Sequence, residues 1–148
     1  MMRRGNKTLR FSLALCWILF VTPALALAQK EGPLSSPANP DGLALAQAVI
    51  CEGISDNTPL NSGVVFPTGI GQVVCFTSFD PVPRKTFVYH QWYYRDELIT
   101  AFKLTLKPPR WATRSSIYLR ETDKGPWRVE VTGPQGEVFR VLRFSITD

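Results

Sequence analysis

The sequence predicts an all-β domain: an antiparallel sandwich of two sheets, Ig-like in general architecture, with about seven strands. Three observations carry this. Apolar and polar residues alternate over runs of seven to eleven residues, turn-forming residues interrupt those runs at short intervals, and no amphipathic helical pattern lies between them. A small β-barrel satisfies the same pattern and stands as the alternative architecture.

In chain order, the first element is LALAQAVICEGI, residues 43–54. Its alanines favour helix, but Val49, Ile50 and Cys51 and the early stop at Gly53 and Pro59 favour a strand. Six further strands follow at 71–79, 86–94, 97–106, 113–120, 126–132 and 137–147, each rich in β-branched and aromatic residues. Asp80, Pro81 and Pro83, then Arg95 and Asp96, then Pro108 and Pro109, and Gly125 separate them. GPQG, residues 133–136, is the most legible turn: Pro134 pre-sets the first central position and Gly136 suits the left-handed position of a three-residue hairpin loop. In the hairpin this turn closes, Trp127, Val129 and Val131 share one face. On the returning strand Val138, Leu142, Phe144 and Ile146 are expected to meet them, in preference to Phe139 and Val141, because a slip of one residue exchanges the faces.

The strand at 86–94 places Val88, His90, Trp92 and Tyr94 on one face and Phe87, Tyr89, Gln91 and Tyr93 on the other. Both faces are bulky, which predicts a central strand. His90 is the only histidine in the chain. Histidine titrates near neutrality and moves protons, but a metal site needs three or four ligands, so the expected role is structural. The ring is expected beside Trp92, with one nitrogen hydrogen-bonded within the sheet and a pKa lowered by burial. His90 and Trp92 nevertheless stand as binding candidates. The KPPRWATRSS stretch, residues 107–116, supplies the others, Arg110, Trp111 and Arg114. A guanidinium beside an indole can hold a carboxylate, a phosphate or a sugar surface through bidentate hydrogen bonds and stacking. The competing reading is arginine stems covering apolar sheet surface with their heads in water.

The N-terminus predicts export. Arg3, Arg4, Lys7 and Arg10 precede an uncharged apolar run from Phe11 to Val21, and Ala26, Leu27 and Ala28 form a small-x-small cleavage site. The run is shorter than the roughly 20 apolar residues a membrane-crossing helix needs. Residues 1–28 are therefore expected to be a cleaved signal peptide, 29–42 (QKEGPLSSPANPDG) a flexible linker, and 43–148 a single β domain in the periplasm or outside the cell. Lipidation at Cys16 is disfavoured by the preceding Leu15. From residue 29 onward 13 basic residues face 12 acidic ones, so the high overall pI belongs to the leader and nucleic acid is not an expected partner. No transmembrane segment is expected in the mature chain. Cys51 and Cys75 form an even pair in an oxidising compartment, which favours a disulfide. Closing that loop of about 25 residues would stabilise the fold by roughly 3 to 4 kcal/mol; two buried thiols on neighbouring strands are the alternative.

No G-x-S-x-G elbow, H-E-x-x-H helix or P-loop is present, so no cofactor and no catalytic residue is assigned. With these residues in hand, HQWYY, WATRSS, GPWRVEV, the GEV turn and the closing FSI resemble the bacterial family called domain of unknown function 2914, over roughly residues 45–148. His90, Trp92, Arg114, Ser116, Gly125, Trp127, Val129, Gly136 and Phe144 carry the resemblance. It implies a small all-β module of envelope proteins and transfers no activity. The expected function is a non-enzymatic exported binding module whose partner is an envelope protein or a cell-wall glycan; a glycan or peptidoglycan would be held through Trp111 and neighbouring tyrosines. A hydrolase using His90 with a carboxylate as general base is the rival from another class.

Overall fold

The computed structural model describes residues 41–148. The expected signal peptide, 1–28, and all but the last two residues of the expected linker, 29–42, lie outside the described residues. Ten strands follow in order: β1 (Leu45–Cys51), β2 (Gly53–Ser55), β3 (Thr58–Leu60), β4 (Val65–Pro67), β5 (Gln72–Phe79), β6 (Thr86–Tyr94), β7 (Glu97–Leu106), β8 (Trp111–Tyr118), β9 (Gly125–Thr132) and β10 (Val138–Thr147). A three-stranded sheet in the order β1-β5-β8 faces a five-stranded sheet in the order β4-β10-β9-β6-β7. The sandwich expectation holds, and neither sheet closes into a barrel. β2 and β3 form a separate hairpin, and β4 runs parallel to β10, so the fold has three short strands beyond the seven expected and one parallel pairing.

The space between the sheets holds two apolar clusters that draw on both layers. One gathers Val73 and Cys75 of β5 with Trp92, Trp127, Val129, Phe144 and Ile146. The other gathers Phe79 with Val88, Leu106, Val131 and Phe139. Burying a Val, Leu, Ile or Phe side chain contributes about 1.5 to 3 kcal/mol, so these alternating inward positions are what make the two layers cohere. Residues of the opposite parity on β5, Val74 and Phe76, join Cys51 on the outer face of the three-stranded sheet. There Ile54 of β2 packs over them and gives the hairpin its seat.

Turn chemistry agrees with the strand ends. Arg95 and Asp96, at φ 47 and 69, make the left-handed two-residue connection between β6 and β7, and Asp56 and Asn57 do the same between β2 and β3. Gly136 is left-handed at φ 85, and Gly133 N–H donates to the Glu137 carbonyl at 2.8 Å, as the GPQG reading requires. The strand expected at 113–120 runs instead from Trp111 to Tyr118, with Arg110 between it and the proline pair.

Two expectations are corrected by register. β10 carries a bulge between Val138 and Arg140 where it pairs with β9. The extra residue exchanges the faces at the start of the strand, so Phe139 is buried while Val138 is 45% exposed; Phe144 and Ile146 are buried as expected and Leu142, partly buried, packs against the same cluster. The expected Cys51–Cys75 disulfide is not formed; both cysteines are free and buried. In the β1/β5 register Ile50 stands across from Cys75, and Cys51 across from Val74. The two cysteines therefore point to opposite faces of one sheet, an arrangement that no disulfide can span. Cys75 belongs to the inner core, Cys51 to the outer cluster, and burial raises the pKa of both thiols.

Candidate functional site

His90 comes from the middle of β6, between β7 and β9, and its side chain is completely buried. Its Nε2 lies 3.0 Å from Thr77 Oγ1 and its Nδ1 lies 2.9 Å from Ser115 Oγ. Trp92 Nε1–H donates to the same Ser115 oxygen at 2.9 Å. Thr77 is on β5 and Ser115 on β8, so the bonds cross from the five-stranded sheet to the three-stranded one. This corrects the expectation of a single bond within the sheet. Both nitrogens are engaged, and the partners belong to the facing layer. The group sits where the two apolar clusters meet: Cys75, Thr77 and Phe79 succeed one another on the inner face of β5, and Val88, His90 and Trp92 on that of β6. Polar residues occupy the seam, and none of their buried side-chain atoms lacks a partner.

The chemistry of this group follows from its charge. Neutral imidazole donates through one nitrogen and accepts through the other, which two hydroxyls satisfy without an ion. Protonation would place a charge in the core with no carboxylate to answer it. Burial accordingly lowers the His90 pKa from 6.5 to about 4. A serine 2.9 Å from a histidine resembles a nucleophile with its base, but the third member is the Thr77 hydroxyl, where a carboxylate would be needed to stabilise an imidazolium. A general base must reach a substrate proton, and this ring meets no solvent. The hydrolase reading built on His90 therefore fails on geometry. Trp92, equally buried, presents nothing to a ligand either, so neither of these two candidates belongs to a surface site.

Arg110 and Trp111 do. They line a groove of about 530 Å³ together with Ala46, Asn57, Ser78 and Asp80. Each wall has a local cause. β1 is bulged between Leu45 and Gln47, which turns Ala46 outward. The left-handed tip of the β2/β3 hairpin presents Asn57. The loop after β5 and the loop before β8 are joined by the Val82 N–H, which donates to the Pro109 carbonyl at 2.7 Å and so sets Asp80 beside Arg110 and Trp111. Trp111 is 37% exposed, and Lys107 Nζ lies 5.3 Å from its ring centroid. The groove thus offers one indole, an acidic and a basic side chain that form no ion pair with each other, and amide and hydroxyl groups. Its size falls in the range of small-molecule sites, about 300 to 1,000 Å³.

Arg114 is separated from this pair. Alternation along β8 places Ala112, Arg114 and Ser116 on the outer face of the three-stranded sheet, and Arg114 lines a second groove of about 250 Å³ with Gln72, Val74, Ser116, Gly53 and Ile54. The three residues grouped by sequence therefore serve two neighbouring grooves. Sequence reading missed Asn57, Ser78 and Asp80, which carry no motif and reach Trp111 only through the fold. Among the described residues, no three His, Cys, Asp or Glu side chains gather where they could hold a metal ion. No helix among them is long and apolar enough to cross a membrane.

Residues 85–146 match the family model described as Protein of unknown function (DUF2914). The resemblance read from the sequence is thus shown, over a shorter span than 45–148. The match covers β6 to β9 and all but the last residue of β10. It includes His90, Arg110, Trp111 and Arg114 and leaves out β1 to β5 and their connecting loops, which supply Thr77 to the interior network and Ala46, Asn57, Ser78 and Asp80 to the groove. No curated protein matches the chain. Most residues that carry the resemblance build the fold: Trp92, Trp127, Val129 and Phe144 are core, His90 bridges the sheets, and Gly125 and Gly136 hold positive φ.

Proposed function

We propose that the chain is an exported, non-enzymatic binding module that takes its ligand in the groove beside Trp111. The observation that carries this reading is the convergence of Arg110, Trp111, Asp80 and Asn57 from three separate segments on one solvent-open groove of about 530 Å³. An exposed indole supplies a flat apolar surface, the guanidinium supplies a fork for paired acceptors, and Asp80 and Asn57 supply acceptors for hydroxyl donors. That combination suits a polar ligand with an apolar face, which is the character of a sugar ring. A cell-wall glycan is accordingly the ligand class we assign. Export rests on the basic and apolar leader with its small-x-small motif.

The test is tryptophan fluorescence during titration with soluble peptidoglycan fragments. Trp92 and Trp127 are buried, whereas Trp111 is exposed, so a ligand in the groove changes the emission of Trp111. The expected result is a saturable change in the wild type, with binding by calorimetry lost in Trp111→Ala and weakened roughly tenfold in Arg110→Ala, the scale of one charge-assisted hydrogen bond. An emission unchanged across the titration, with no binding by calorimetry, removes the glycan assignment. Binding that survives both substitutions removes the groove.

A further inference from the structure

A second cluster lies on the outer face of the other sheet. Tyr93, Arg128 and Arg143 stand in direct register across β6, β9 and β10. Their neighbours Trp92, Trp127, Val129 and Phe144 point into the core, so all three side chains share the solvent side. Arg128 and Arg143 are thus like charges directly opposed on an antiparallel pair, which destabilises a sheet unless the charge is answered. For Arg128 it is answered: Nε donates to Glu130 at 2.8 Å, Nη1 pairs with Asp96, and the guanidinium lies 4.0 Å from the Tyr93 ring centroid. Arg143 has no acidic partner among the described residues, and neither has Arg95 on the β6/β7 turn.

Arg95 is nonetheless placed. Its backbone is left-handed at φ 47, its N–H donates to the Pro126 carbonyl at 3.2 Å, and its guanidinium lies over the Tyr94 ring at 5.2 Å. Gly125, at φ 125, lies directly under it: a Cβ there would stand in ordinary van der Waals contact, 3.5 Å, with Arg95 Nε and Nη2. Arg95, Arg128 and Arg143 line one cleft of about 100 Å³ together with Asp96 and Tyr93. That volume suits one compact charged group.

We infer that this cleft binds a phosphate group, with Arg95 and Arg143 as its cationic partners and Asp96 as the internal competitor that holds Arg128 until the ligand arrives. Guanidinium forks match the paired oxygens of a phosphate. Asp96 is 87% exposed on its turn, free to swing away and release Arg128 as a third donor. The phosphate can be free or carried on a phospholipid head group, and the two sources are separable by experiment.

The test uses the chain from residue 29 onward, the form that the proposed export leaves, with two probes: inorganic phosphate by calorimetry, and sedimentation with phosphatidylcholine vesicles that contain or lack phosphatidylglycerol. Arg143→Gln and Arg95→Gln are exposed changes, and circular dichroism confirms that each variant is folded. Saturable phosphate binding, weakened roughly tenfold or more by either change, supports the site with free phosphate as a sufficient ligand. Binding confined to the phosphatidylglycerol vesicles and lost in Arg143→Gln supports it with the lipid as carrier. Asp96→Asn is expected to tighten whichever binding is seen, since it removes the competitor. Absence of binding to both probes, or binding indifferent to both arginine changes, overturns the proposal; unchanged affinity in Asp96→Asn overturns the role of Asp96.

Discussion

His90 shows how one side chain can hold two layers together while remaining neutral. Its ring is packed between apolar clusters and bonded at both nitrogens to hydroxyls of the facing sheet. Truncation therefore does more than open a cavity: it orphans Thr77 Oγ1 and leaves Ser115 with Trp92 alone. We expect His90→Ala to lower the unfolding free energy by about 2 to 4 kcal/mol, measured by urea denaturation at pH 7.5. Thr77→Val removes one bond at nearly constant volume and is expected to cost less, about 1 to 2 kcal/mol. A His90→Ala protein of wild-type stability would mean that the contacts to β5 and β8 contribute nothing. The structural role of His90 was legible from its aromatic, alternating strand. Its partners were not, because Thr77 and Ser115 are ordinary strand residues whose meeting depends on how the sheets face.

At the level of elements, the two cysteines illustrate what register decides. β1 and β5 place them on opposite faces, so we expect both thiols to remain free even in an oxidising compartment. In peptide mass spectrometry Cys51 and Cys75 should each alkylate in denaturant without prior reduction, and neither should alkylate in the native protein, where burial raises both pKa values. A reducing agent should leave the urea midpoint unchanged; a drop on reduction would show a bond. β6 and β7 were legible to the residue, since Thr86–Tyr94 and Glu97–Leu106 alternate strongly and a charged pair marks the turn between them. β2, β3 and β4 were not, because three residues are too few to show a period and GIS and TPL contain the residues that ordinarily end strands. The face of β10 was misread at Val138 for a related reason: strict alternation has no place for a bulge, and the bulge there is set by pairing with β9. Arg110 and Trp111 stood out in the sequence as an aromatic and basic pair after two prolines. The groove they line depends on a hairpin tip and a strand end that are distant in sequence, which no local pattern encodes.

For the molecule as a whole, the interior is structural, and the groups able to meet a ligand lie on the two outer faces. The proposed Trp111 groove occupies one sheet and the proposed arginine cleft the other. This division rests on His90 being a neutral part of the core, and that has a global consequence. A histidine whose folded pKa is lowered leaves stability intact above its unfolded value of 6.5 and removes it as pH falls toward the folded value of about 4, because only the unfolded chain binds the proton in that window. At 1.36 kcal/mol per unit the loss amounts to about 3 kcal/mol. Asp123 and Glu121, whose pKa values are lowered by Arg120 and Lys124 respectively, add their own losses in more acid solution, so the contribution of His90 is read as a difference between two proteins. The decisive measurement is the urea unfolding free energy of the wild type and of His90→Gln between pH 8 and pH 4. A neutral, buried His90 gives a wild-type plateau above about pH 6.5 and a decline below it that the variant lacks. A wild type that gains stability on acidification, or a decline equally present in His90→Gln, would contradict it.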